Sequence, residues 1–152
     1  MTHYISIKTY ANLAALSERT IRRYIATKEI HFLVDTAKNK TLIAANELIK
    51  NAPIPISADD IMVIVDADNG DAEAQNNLAI LFLEQAKPSI ALYWLHLAVK
   101  QDNPDAMHLL GQCYQSGEGV IKDKNQAMTW ISKAATLGHK IALKQMDHIY
   151  FR

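Results

Sequence analysis

An internal register constrains this chain more than any single motif. Three segments align on an alanine followed by apolar positions four and eight residues on: Ala74, Leu78 and Phe82; Ala106, Leu110 and Tyr114; Ala142, Met146 and Tyr150. A second pattern interleaves with the first, Ala91, Trp94 and Ala98, then Ala127, Trp130 and Ala134; Trp94 precedes Ala106, and Trp130 precedes Ala142, by 12 residues. Spacings of four and eight place side chains on one helical face. Two-helix units recurring every 32 to 36 residues predict an α-solenoid, in which each hairpin buries its apolar face only against a neighbour. The alanines and Gly111 then allow close helix approach, and Phe82, Trp94, Tyr114 and Trp130 are expected to fill the space between helices as packing residues.

The stretch YQSGEGVIKDKNQAMTWISKAATLGH, with glycines at Gly117 and Gly119, Val120, Trp130 and paired alanines, closely resembles a Sel1-like repeat. The preceding unit departs from that pattern: EQAKP replaces the glycine loop and shortens the connection by four, and Pro88 opens the next helix. The register extends backward, because Met62 stands 12 residues before Ala74. Ser57 and Asp60 predict a capping box, so residues 57–67 read as a half repeat rather than a strand. The expected array is this half repeat, two repeats and a final helix from 140 onward.

The N-terminal third has another organisation. Thr9 is expected to cap a short helix bearing Tyr10, Leu13, Ala14 and Leu16. Ser17 is expected to cap a second helix, from Glu18 to about Thr27, with Ile21, Tyr24 and Ile25 inward and Arg19, Arg22 and Arg23 on or beside its outer face. Residues 31–36 and 41–45 are apolar and β-branched and flank AKNK, a predicted hairpin with Lys38 and Lys40 near its tip. Asn46 is expected to cap a closing helix, ELIKN. The segment YISIKTYANLAALSERTIRRYIATKEI resembles the winged helix-turn-helix of the MerR and excisionase-type families, about a third of the chain. That resemblance implies that the second helix enters the DNA major groove while the wing touches the backbone. The implied DNA-contacting residues are Ser17, Arg19, Thr20, Arg22, Arg23, Lys28, Lys38 and Lys40. Lys28 stands where those families usually carry a glycine in left-handed backbone.

Composition supports a folded chain: 152 residues, 49% hydrophobic and 21% charged, with 16 basic against 16 acidic side chains, which excludes a disordered tail or a low-complexity chain. Residues 1–56 hold eight Lys/Arg and four Asp/Glu, a net +4, and the remainder balances them at −4. With Pro53 and Pro55 stiffening the join, the expected domains are 1–52 and 57–152, the first basic enough for a polyanion. No apolar run approaches the roughly 18 to 20 residues of a membrane span, and the start lacks the layout of a secretory signal, so a cytoplasmic address is expected.

Other chemistry is weak. DADNGD, residues 66–71, lacks the glycine position and closing acid of a calcium loop and reads as a helix-capping turn. His96, His108, His139 and His148 lack metal-ligand spacing, and the single cysteine, Cys113, falls on an apolar repeat position that predicts an inert buried thiol. With no catalytic constellation, phosphate loop or nucleotide fingerprint, the expectation is no enzyme activity, no metal and no cofactor. The sequence thus predicts a mainly α protein, a small winged helix-turn-helix domain plus a short α-solenoid. It is expected to act as a regulator that holds double-stranded DNA with the first module and a protein or peptide partner on the concave face of the second, and one small DNA module favours pairing of two copies. The alternative is a protein-only adaptor whose helix-turn-helix no longer binds DNA.

Overall fold

The computed structural model describes residues 1–149 and the backbone of residue 150. The protein is mainly helical and divides into two compact units, Met1–Ala74 and a second beginning at Gln75. No helix among the described residues is long and apolar enough to cross a membrane.

The first unit opens with a short strand, β1 (Tyr4–Ser6), followed by α1 (Ile7–Leu13), α2 (Glu18–Ala26) and the hairpin β2 (Phe32–Asp35) and β3 (Lys40–Ala44). A 3-10 turn, Ala45–Glu47, leads into α3 (Leu48–Asn51), and α4 (Ala58–Asp68) follows. The strands form an antiparallel sheet in the order β1-β3-β2, with Ile43 in register with both Ile5 and Phe32. Ile5, Leu13, Ile21, Ile43, Leu48 and Ile64 are fully buried, with Tyr10 beside them in the core.

Three local expectations change. β1 is only three residues long, too short to show an alternating pattern, and it displaces the start of α1. Ser6 rather than Thr9 is the N-cap, its hydroxyl accepting the Thr9 N–H at 3.2 Å. Thr9 instead donates its hydroxyl to Asp68 at the end of α4. Asn46 makes no capping bond; it lies inside the 3-10 turn, and α3 starts two residues later. Ser17 caps α2 as expected, accepting the Thr20 N–H at 3.1 Å, and Lys28 takes the left-handed backbone (φ +58°) with its own N–H on the Ile25 carbonyl.

The join at 53–56 is not a free linker. Pro53 and Pro55 are exposed, but Ile54 and Ile56 alternate with them into the core. Beyond it, the Ser57–Asp60 capping box starts α4 as expected, and Ile61, Ile64 and Ala67 are buried. Asp68 then accepts the Ser6 N–H at 2.9 Å, the Ser6 hydroxyl at 2.6 Å and the Thr9 hydroxyl at 2.5 Å. These bonds tie the end of α4 to the start of α1, so α4 belongs to the N-terminal unit and the boundary falls near Ala74 rather than at 52–57. Met62, in the register position of a tryptophan, is 46% exposed.

In the second unit follow α5 (Ala72–Glu84, entering from the first), α6 (Pro88–Val99), α7 (Pro104–Ser116), α8 (Lys124–Thr136) and α9 (Lys140–Tyr150). Their starts are locally encoded: Asp71 caps α5 through the Ala74 N–H at 2.7 Å, the capping role expected of the 66–71 segment, whose first three residues instead end α4. Asn103 with Pro104 starts α7, and Asp123 takes the N–H groups of Asn125 and Gln126 for α8. Leu78, Ala79, Phe82, Trp94, Leu95, Leu110, Ala134 and Ala142 are essentially inaccessible, matching the repeat register. Gly111 permits a close approach of α8 to α7, because a Cβ there would stand 2.7 Å from Ile131 Cγ1 and 3.1 Å from the Ala127 carbonyl oxygen. Tyr114 is half-buried, and the side chain of Tyr150 lies outside the described residues. Trp130 departs from the expectation of a core residue, being only partly covered.

Candidate functional site

Two surfaces carry the residues singled out from the sequence. On α2, Arg19, Arg22 and Arg23 are all exposed. Each of the last two has a partner on its own helix: Arg22 Nη2 stands 3.8 Å from Glu18 Oε2, and the Arg23 guanidinium lies 5.5 Å from the Tyr24 ring centroid. Ser17 and Thr20 share a hydroxyl–hydroxyl bond of 2.9 Å at the start of the same helix. Lys28 is exposed just beyond its end, and Lys38 and Lys40 are exposed at the hairpin, where the Lys38 N–H bonds Asp35 Oδ1 at 3.2 Å. The structure therefore gathers Ser17, Arg19, Thr20, Arg22 and Arg23 on one helix, with the wing lysines on a separate element. Exposed ion pairs of this length contribute little, so the arginines remain available to an anion.

The unit boundary changes the charge argument. Extending the first unit to Ala74 adds Asp59, Asp60, Asp66, Asp68, Asp71 and Glu73 and no base, so its net charge goes from +4 to −2, and the second unit carries +2.

In the second unit a groove of about 540 Å³ opens where the turn after α6 meets α8. Val99, Met107, Trp130 and Leu137 form its apolar part, and Lys100 and Lys133 also line it. Lys133 Nζ stands 4.5 Å from the Trp130 ring centroid. The register located Trp130 but assigned it to the core; its partial exposure is the signal that spacing alone does not carry.

The histidine cluster is structural. His139 Nδ1 accepts the Ala142 N–H at 3.1 Å, capping α9, which leaves its Nε2–H facing Asp105 Oδ1 at 3.3 Å. Its ring stacks on His108 at 4.3 Å, and His108 Nε2 meets Gln145 Oε1 at 3.0 Å. Burial lowers the His108 pKa, opposed by its bond to Gln145. Cys113 is buried, and burial pushes its thiol up to about 11, which suits an inert side chain rather than a nucleophile. Among the described residues no group of three or more His, Cys, Asp or Glu is placed to hold a metal ion.

Comparison with known proteins agrees with the repeat geometry. The Sel1 repeat family model matches residues 72–103 and 104–139. The shared edge falls at the Asn103–Pro104 start of α7. The DAP3-binding cell death enhancer 1 of Rattus norvegicus is 30% identical over 88 residues, covering 55% of this chain; the chain spans 17% of that relative's length. A solved Sel1 repeat protein from Oxalobacter formigenes is 30% identical, covering 62% of this chain and 74% of its own, with a TM-score of 0.56. A protective antigen of uropathogenic Escherichia coli with an SLR fold is 26% identical, covering 70% of this chain and 24% of its own, at a TM-score of 0.54. The matched span begins at residue 72, so α4 lies outside it. Residues 72–139 of this chain are two consecutive Sel1 repeats.

Proposed function

We propose that the protein is a non-enzymatic adaptor whose Sel1 repeats hold a protein partner. The observation that carries this reading is the pair of matched repeats, 72–103 and 104–139, folded into packed helices that leave a lined groove on their surface. Solenoids of this kind present extended surfaces to peptides and helices. The curated relative is itself named for binding another protein, DAP3. The net −2 of the first unit also favours the adaptor over a DNA regulator, because polyphosphate binding draws on excess positive charge.

The test is capture from nuclease-treated extract with the full chain as bait, followed by titration of the purified partner against chain variants. A saturable partner whose binding is lost on substitution within 75–149 supports the adaptor. Capture of no saturable protein partner, with enrichment of a duplex from a random-sequence pool by the same chain, overturns it.

A second reading is motivated by the outward Arg19, Arg22 and Arg23 of α2: the first unit is a winged helix-turn-helix of the MerR or excisionase type, and α2 with Lys28, Lys38 and Lys40 contacts duplex DNA. It predicts salt-dependent binding of a duplex pool and a shallower salt slope when Arg22 and Arg23 are both replaced by alanine. Unchanged affinity and slope in that double variant eliminate it.

A further inference from the structure

Trp94 and Trp130 occupy equivalent places in the two repeats, and they have different fates. Trp94 is 1% exposed, whereas Trp130 lines the open groove beside Lys100 and Lys133. The groove's apolar part suits an inserted side chain, since Val99 and Met107 are already packed and Leu137 is 48% exposed. Its charge selects what accompanies that side chain. The Lys133 ammonium lies over the Trp130 ring at 4.5 Å, so a cationic ligand would meet a repelling charge beside the ring. The lining carries two basic residues, Lys100 and Lys133, and one acidic residue, Asp102, within a unit of net +2. α6 and α8 both end here, and their terminal carbonyls offset part of the lysine charge. The residual field is small, which fits one or two carboxylates rather than a polyanion.

We infer that this groove receives an acidic, apolar segment of a partner protein. An apolar or aromatic side chain enters against Trp130, and a neighbouring carboxylate meets Lys133 and Lys100. The inference rests on the adaptor reading and specifies its surface and the chemistry of its partner.

The experiment uses the full chain and two fluorescein-labelled synthetic peptide pools. In one, Leu or Phe is flanked by Asp or Glu; in its twin the acids are replaced by Lys or Arg. Anisotropy measures binding, and tryptophan emission reports the groove, because Trp94 is buried away from solvent. The acidic pool is expected to bind saturably, and Lys133→Glu and Lys100→Glu each to weaken it by about tenfold or more, whereas Lys144→Glu, an equal change of net charge on α9, leaves it within about twofold. Lys100→Glu preserves the Lys133–Trp130 stack, and circular dichroism verifies the fold of each variant. Absence of saturable binding by the acidic pool up to about 1 mM, equal binding of the basic pool, or indifference to both groove substitutions overturns the inference. If it fails while a partner is still captured through the repeats, the adaptor reading stands and only the groove assignment falls; if no protein is captured at all, the adaptor reading itself fails.

Discussion

Single residues decide how tightly the repeats close. Gly111 is set by the absence of a side chain: its missing Cβ makes room for Ile131 and the Ala127 carbonyl. Gly111→Ala is expected to destabilise the second unit by about 1–3 kcal/mol, measured as a lower urea midpoint at unchanged slope. Gly119 combines a left-handed backbone (φ +73°) with a Cβ position 2.7 Å from Leu92 Cδ1 and 2.9 Å from Pro88 Cβ, which explains why the glycine loop of the second repeat approaches the proline-opened helix of the first. Cys113 gives a pH prediction. Its thiol is raised to about 11 in the fold from an ordinary 9.0, so the neutral form is favoured when folded. That contribution is complete below pH 9 and is lost as pH rises through 11. Alkylation by iodoacetamide at pH 8 is expected to be at least roughly tenfold slower in the native protein than in urea; equal rates would refute the burial argument. The inert thiol was legible from its apolar repeat position. The partial exposure of Trp130 was not, since it depends on which neighbours cover the ring.

At the scale of elements, several helix starts were legible from local caps. Ser17, Ser57 and Asp60, and Pro88 all act within one turn of the helix they start. The Ser6 cap was missed although its bond to the Thr9 N–H is local, because Thr9 was read as the cap, whereas its hydroxyl goes to Asp68, 59 residues away. Asp68→Ala removes the acceptor of three hydrogen bonds that join α4 to α1. The expected cost is about 1–3 kcal/mol, read as lower thermal stability of the first unit; no change would show that α4 is held by its apolar face alone. The α7–α9 contact titrates. The depressed pKa of His108 means that its neutral form is favoured in the fold. Its contribution is present above pH 6.5 and is lost as pH falls through the depressed folded value. Stability is therefore expected to fall below pH 6.5, and less steeply in His108→Gln, in denaturant titrations across that range.

For the whole molecule, the change that matters is where the chain divides. Splitting it at the prolines made a basic N-terminal module that suited nucleic acid. The fold places α4 in that unit and makes it acidic overall, leaving the repeats with the positive excess. A fragment of residues 1–74 is expected to unfold cooperatively, whereas residues 1–56, lacking Ile61, Ile64 and the Asp68 bonds, is expected to show no sharp thermal transition. A cooperative transition in the shorter fragment would restore the boundary at the prolines.

The sequence by itself determined the repeats, because helix period, alanine spacing and local caps are short-range properties that any neighbour must accommodate. It also determined the order of two short helices and a hairpin in the first unit, from turn residues and β-branched runs. Only the tertiary structure decided that α4 closes the first unit, that the charge division follows it, and that one of two equivalent tryptophans faces an open groove. Each of those depends on which surfaces meet across long separations in the chain, and residue spacing carries no record of that.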